Sequence, residues 1–259
     1  MINRLVTLGK SCIFQIKCMS NFLFSCSTLK NGIAVGSAHS YSTDLTDSML
    51  GPGYISYYSS RGPTLDGRTK PDILAPGHYI SSSAAGESCD GLDPAEPYHK
   101  TEGLISYAGT SMATPITAAT AGLVRQYLAE GYYPSGKPNE DDAVLNPSAS
   151  LIKAILLNGG QDMFGVDNGS DGVFPVMPYD NIQNMGRLSL VDSLYLEDES
   201  NVQVEFWDRQ SIEEGDILSF SKVCYVSFLM HFYDLSFFFD IFRPLIRLVV
   251  VAILYFQLW

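Results

Sequence analysis

No pair among the five cysteines, at positions 12, 18, 26, 89 and 224, has a metal-ligand spacing such as C-x-x-C, so the common zinc and redox motifs are excluded. The odd count leaves at least one thiol free or paired outside the chain. Basic patches are scarce too. The formal net charge is −12, the wrong sign for a protein whose main partner is nucleic acid, because phosphate contacts call for clustered Lys and Arg. Nor does any unbroken apolar run reach the roughly 20 residues of a membrane-spanning helix. The last run, Leu248 to Phe256, falls short, and Asp234, Asp240, Arg243, Pro244 and Arg247 interrupt what precedes it. Asp and Glu are absent before Asp44, although Arg4, Lys10, Lys17 and Lys30 are present.

That acid-free start leaves three readings open: an organelle transit peptide, a secretory signal, or a stretch not shaped as a terminus at all. Lys10 and Lys17 break its apolar stretches, and no small-residue cleavage site is evident. Asn168-Gly169-Ser170 is a glycosylation acceptor, meaningful only in a secreted protein. With the cysteines, it points toward an extracellular route.

What remains is a chain of 259 residues, 46% hydrophobic and 17% charged. That is room for one good-sized domain, or a domain and part of another. The middle is punctuated like an α/β protein. Gly32-Ile33-Ala34-Val35-Gly36 is a short apolar run closed by glycine and reads as a buried strand. A tyrosine-rich loop, a turn at Gly62-Pro63 and a solvated loop over 64–70 follow, then a second apolar run, Pro71 to Gly77. Residues 84–104, rich in Gly, Glu, Asp and Pro, read as an exposed insertion. The period then changes to helical over 111–130, with Pro115 assigned to the first turn and Gly131 to the C-terminal cap. After a polar loop, Ser148 caps a predicted helix over 149–158. A third helical piece is expected after Arg187, and the alternation of 202–208 predicts a strand.

Gly109-Thr110-Ser111-Met112-Ala113-Thr114-Pro115, GTSMATP, opens the first helix. A serine here lies at the positive end of the helix dipole, beside backbone N–H groups that have no partner within the helix. Those groups suit an oxyanion developing on a substrate carbonyl. The plainer alternative is a serine that merely caps the helix.

GTSMATP resembles the nucleophile motif of the subtilisin-like serine peptidases. Further matches follow in the family's order: GIAVGS at 32–37, SSRGPTLDGRTKPDILAPG at 59–77, SLIKAILLNGG at 150–160 and NMGRLSLVDSLYL at 184–196. The resemblance covers roughly residues 27–200. It implies a three-layer α/β fold with a mostly parallel sheet, of which the N-terminal half is missing. It also implies peptide-bond hydrolysis through an acyl-enzyme on Ser111, whose own backbone N–H would serve as one oxyanion donor. VEFWDRQSIEEGD at 204–216 resembles the first strand of a C-terminal β-sandwich carried by some members. The implied partner is a protein or peptide substrate and the implied location the secretory pathway. No cofactor or metal is called for; no calcium site is evident, although family members often bind calcium.

Such hydrolysis needs a base for the Ser Oγ proton and an acid to orient that base. The family carries its aspartate in D-x-G and its histidine in H-G-T, both upstream of the strand matched by GIAVGS. Only 31 residues precede that strand, with no Asp and no His among them. His39, His78 and His99 precede Ser111, but none is followed by Gly-Thr, and each is expected on the surface. Asp72 lies in the K-P-D segment, where the family's aspartate is not catalytic. The oxyanion-hole asparagine, expected in A-G-N, has no match; Asn21 in MSNFLF is a poor substitute. The sequence thus predicts an unmatched segment over 1–26, a partial peptidase domain over 27–200, a sandwich start over 201–216 and an apolar tail over 217–259. Segments 1–26 and 217–259 are expected to be translated non-coding sequence, and the 259-residue chain to be inactive alone. The competing expectation is a non-catalytic binding or membrane-associated protein, anchored through 217–259.

Overall fold

Period-two alternation in two short runs sets the centre of the fold. In β2 (Ile33–His39), Ile33 and Val35 face one way and Ala38 the other; in β4 (Ile73–His78), Ile73 and Ala75 oppose Leu74 in the same manner. All six are at most 5% exposed, so the sheet is covered on both faces, as nearly continuous apolar strands require. The structure, a computed structural model, describes residues 13–15, 25–40, 50–83, 100–101, 104–170, 172–199, 202, 204–209 and 250–252.

β2 pairs in parallel with β4 on one edge and with β1 (Ile13–Gln15) on the other. It also meets β3 (Tyr54–Ile55) antiparallel at Ala38–Ile55. β3 continues in parallel to β8 (Gly165–Asp167), which pairs antiparallel with β9 (Val173–Phe174) at the sheet edge. A second, antiparallel sheet joins β5 (Ile80–Ser83), β7 (Leu104–Tyr107) and β6 (Lys100–Thr101). The end of the segment expected to be an exposed insertion forms ladder strands, and Leu104, its last residue, is exposed; residues 84–99 and 102–103 lie outside the described residues. β10 (Glu205–Trp207) falls in the predicted strand and pairs in parallel with β11 (Val250–Ala252).

Two helices cover the Ile33/Ile73 face. In α1 (Thr110–Ala129), Ala113, Thr117, Ala121, Val124 and Leu128 recur every three or four residues and are all buried. The small members let the helix lie close to β4, and Thr117 satisfies its hydroxyl on the carbonyl of Ala113. The helix starts at Thr110 rather than Ser111, so Pro115 falls in the second turn, not the first as expected. There its missing N–H removes the bond that would reach the carbonyl of Ser111. At the other end, Gly131 at φ +69° lets its N–H reach Leu128 O and that of Tyr132 reach Tyr127 O, the pairing of a Schellman cap.

α2 (Ala149–Asn158) starts as predicted, with Ser148 Oγ accepting the N–H of Leu151 at 3.0 Å. It sends Leu151, Ile152, Ile155 and Leu156 into the same core; truncating any one of these costs about 2–5 kcal/mol. The third helix does not form. Residues 190–194 make a single turn, in which Ser193 and Leu194 both donate to Leu190 O. Leu194 is buried, while Val191 is exposed. One turn suffices to seal the core there.

Three charged side chains bind the layers together. Asp72, at the entry to β4, accepts Lys70 Nζ at 2.6 Å and Lys153 Nζ, from α2, at 3.1 Å. The same carboxylate takes the N–H of Ala34 in β2 at 2.6 Å, and Lys153 also donates to Gly32 O. Asp72 is thus committed to joining β2, β4 and α2. Among the described residues no helix is long and apolar enough to cross a membrane. The expected tail anchor, apart from 250–252, lies outside them.

Candidate active site

The turn ahead of α1 depends on two glycines. Gly109 occupies the cap position with φ 157° and ψ 159°, a combination open in practice only to glycine. Its N–H donates to Gly77 O, at the end of β4, at 2.7 Å. A Cβ on Gly77 would lie 2.7 Å from Gly109 O and also collide with Ser37 Oγ. Glycine in A-P-G and glycine in G-T-S are therefore two halves of one backbone contact.

Ser111 follows as the second residue of α1 and is exposed. Gly109, not Ser111, holds the N-cap position. Met112 N–H is already used on Gly109 O. Ser111 therefore lies in the first turn of α1, where the helix dipole favours negative charge.

Beneath the turn lies a buried hydroxyl cluster from β2 and the loop after β3. Ser37 Oγ sits 2.9 Å from Ser56 Oγ and donates to Tyr58 Oη at 3.2 Å, while Ser37 N–H donates to Ser59 Oγ. Tyr58 in turn donates to Gly77 O at 2.9 Å. The Gly77 carbonyl therefore has two donors, Gly109 N–H from the turn ahead of α1 and Tyr58 from the cluster. Burial pushes the Tyr58 hydroxyl above its ordinary pKa, which keeps the proton in place for that bond.

His39 and His78 were expected on the surface and are not there. They are the final residues of β2 and β4 and are partners in the parallel ladder, 0% and 7% exposed. Both strands run on past the glycines that seemed to end the apolar runs, and a bulge between Ala38 and His39 brings the two rings together. The imidazoles stack with centroids 4.2 Å apart. His39 Nε2 lies 3.2 Å from Asp167 Oδ2 on β8, and His78 Nδ1 lies 3.2 Å from Tyr58 Oη. Burial, reinforced by the neighbouring His39, brings the pKa of His78 down to about 4. Burial also lowers that of His39, against the opposing pull of Asp167. Both histidines are engaged with these partners. His99, Asn21 and His231 lie outside the described residues. Among the described residues no group of three His, Cys, Asp or Glu side chains is placed to hold a metal ion.

Comparison with known proteins adds the lineage. A family model described as the subtilase family matches residues 24–174. The chain belongs to the subtilase family. The match takes in β2, β4, the turn ahead of Ser111, both helices and the β8–β9 pair. Among curated subtilase relatives, "Serine protease/ABC transporter B family protein tagD" of Dictyostelium discoideum is 41% identical over 157 residues, which is 55% of this chain and 8% of that protein. "Serine protease AprX" of Bacillus subtilis (strain 168) is 42% identical over 73 residues, 28% of this chain and 16% of that protein. The chain thus spans a small part of the length of these relatives. Among solved structures, fervidolysin from Fervidobacterium pennivorans, titled a keratinolytic enzyme related to subtilisin, matches at 21% identity. The TM-score is 0.37, over 65% of this chain and 20% of that one.

The sequence marked Ser111, Gly109 and Gly77 through their motifs, but not the support beneath them. Tyr58 and Ser37 reach the site through partners 19 to 21 residues away, and nothing in their local sequence signals it. His39 carried one usable signal. Extending the strand reading past Gly36 would have placed it in the sheet, though only the pairing with β4 reveals His78 beside it.

Proposed function

We propose that Ser111 is the nucleophile of a subtilase-type serine endopeptidase and that this chain carries the nucleophile-bearing part of the catalytic domain. Ser111 Oγ attacks the scissile carbonyl, its proton passes to a base, and the acyl-enzyme that forms is hydrolysed by water. The Ser111 backbone N–H donates to the oxyanion, helped by the helix dipole. One observation carries the reading: an exposed serine in the second position of α1, behind a cap that only glycine can occupy, inside the segment that matches the family.

The base, the orienting acid and the second oxyanion donor are not assigned to any residue. His39 and His78 are engaged with Asp167 and Tyr58, and neither stands in H-G-T. By itself the chain is expected to show no peptidase turnover. The substrate class is protein or peptide, and the route is secretory, supported by the family resemblance and the N-x-S motif. The test assays the full chain and its Ser111→Ala variant on a generic protein substrate. No cleavage by either is expected; cleavage that disappears with Ser111→Ala would show that the chain has its own base.

A further inference from the structure

The turn between β8 and β9 carries Asn168-Gly169-Ser170, all three exposed. We infer that Asn168 is an attachment site for an N-linked oligosaccharide, and that this glycan covers the apolar edge of the main sheet. The inference rests on the secretory route proposed above.

Three observations carry it. First, the carboxamide of Asn168 is oriented by its own turn. Its Oδ1 accepts the N–H of Ser170 at 2.8 Å, the hydroxyl of Ser170 at 3.1 Å and the N–H of Gly172 at 3.1 Å. Among the described residues no hydrogen bond engages Nδ2, the atom that would bear the sugar. Three donors on the oxygen draw electron density from the amide and make an Nδ2 proton easier to lose. Second, the turn is fixed from below. Asp167 Oδ1 accepts the N–H of Gly169 at 2.7 Å while its Oδ2 meets His39. Gly169, at φ +82°, lies against the Tyr57 ring, where a Cβ would come within 3.3 Å. Nδ2 lies over Gly172, where a Cβ would come 2.6 Å from it, so the residue beneath the amide has no side chain to obstruct it.

Third, the neighbouring surface calls for cover. β9 is the last strand of the sheet path and pairs, among the described residues, with β8 alone. Its Val173 and Phe174 are exposed, Phe174 at 55%, and Phe164, just before β8, is exposed at 75%. An apolar edge strand invites pairing with other chains unless something blocks it. A branched hydrophilic chain one turn away provides such a block.

In the transfer step, Asn168 Nδ2 bonds to the anomeric carbon of a lipid-pyrophosphate-linked oligosaccharide. The bond from that carbon to the pyrophosphate oxygen breaks, the lipid pyrophosphate leaves, and one amide proton passes to the base of the transferase. Ser170 supplies the hydroxyl that the N-x-S acceptor requires.

The test incubates the purified full chain with a single-subunit oligosaccharyltransferase and its lipid-linked oligosaccharide, beside an acceptor peptide as internal control, and weighs the proteolytic fragment containing Asn168. A mass increase of one glycan on that fragment is expected, absent in Asn168→Gln and Ser170→Ala and kept in Ser170→Thr. An unmodified fragment beside a modified control peptide overturns the site, as does a glycan that persists in Ser170→Ala. The reaction does not depend on the native route. The secretory reading is tested separately, by whether the chain expressed in its native cells reaches the medium.

Discussion

Gly77 O accepts the N–H of Gly109 at 2.7 Å, so the end of β4 holds the turn that presents Ser111. Strand, turn and helix are thereby one mechanical unit. The contact is available because Gly77 has no Cβ to meet Gly109 O and Gly109 can adopt φ 157°.

Substituting either glycine should loosen that unit. Gly109→Ala forces an L-residue into a region costing about 1–3 kcal/mol. Gly77→Ala puts a methyl group 2.7 Å from Gly109 O, an overpacking cost of about 1–3 kcal/mol. Urea unfolding midpoints of both variants should fall, whereas alanine at exposed Gly67, with no atom within 4 Å of its Cβ but φ +82°, should cost only the strain of its backbone.

Tyr58→Phe removes the second donor to Gly77 O and leaves His78 Nδ1 without its partner, while Ser37 Oγ keeps Ser56 Oγ. Leaving buried polar groups unsatisfied costs about 1–3 kcal/mol. Equilibrium denaturation should register a loss of this size; a neutral outcome would mean that Tyr58 does not brace the turn.

Asp72→Ala should be strongly destabilising. It strips the shared counter-ion from Lys70, itself 3% exposed, and from Lys153. Breaking a buried pair in this way costs about 3–5 kcal/mol. Lys153→Met, which leaves the Lys70–Asp72 pair intact, should cost clearly less in the same unfolding experiment.

The stacked imidazoles make an acid-sensitive joint between β2 and β4. His78 is held down to about 4, by burial and then by His39, from an ordinary 6.5, and His39 is lowered by burial. The unfolded chain therefore binds protons that the folded chain refuses. The stability these groups contribute is present above about pH 6.5 and is lost as pH falls toward about 4, at about 1.4 kcal/mol per pH unit per proton. Asp167 on β8 and Tyr58 face the pair; the carboxylate offsets part of the loss, through both His39 and His78. Unfolding free energies measured between pH 7 and pH 4.5 should fall more steeply for the wild-type chain than for His78→Phe.

The helices and the two central strands were readable because their signals are local. Ser148 ahead of ASLIKAILLN announces α2, and the spaced small residues with Gly131 announce α1. The remainder depended on contacts distant in sequence. Leu188, Leu190 and Leu194 have helical spacing, yet one turn already buries Leu194, so no helix is needed. His39 and His78 look like loop histidines until the parallel register sets them side by side. For the site itself, the motif identified Ser111 and its glycines. The reasons for those glycines, a backbone angle and a close approach between β4 and α1, exist only in three dimensions.

The proposed nucleophile, Ser111, has no base assigned to it among the described residues. The most direct test is hydrolysis of a fluorogenic peptide by the full chain, alone and mixed with a subtilase segment carrying the D-x-G and H-G-T motifs. No turnover alone, and turnover in the mixture that Ser111→Ala reduces by about 10⁴-fold or more, is the predicted result. Equal turnover by the wild-type and Ser111→Ala mixtures would contradict the nucleophile assignment, and Ser111-dependent turnover by the chain alone would contradict the missing base.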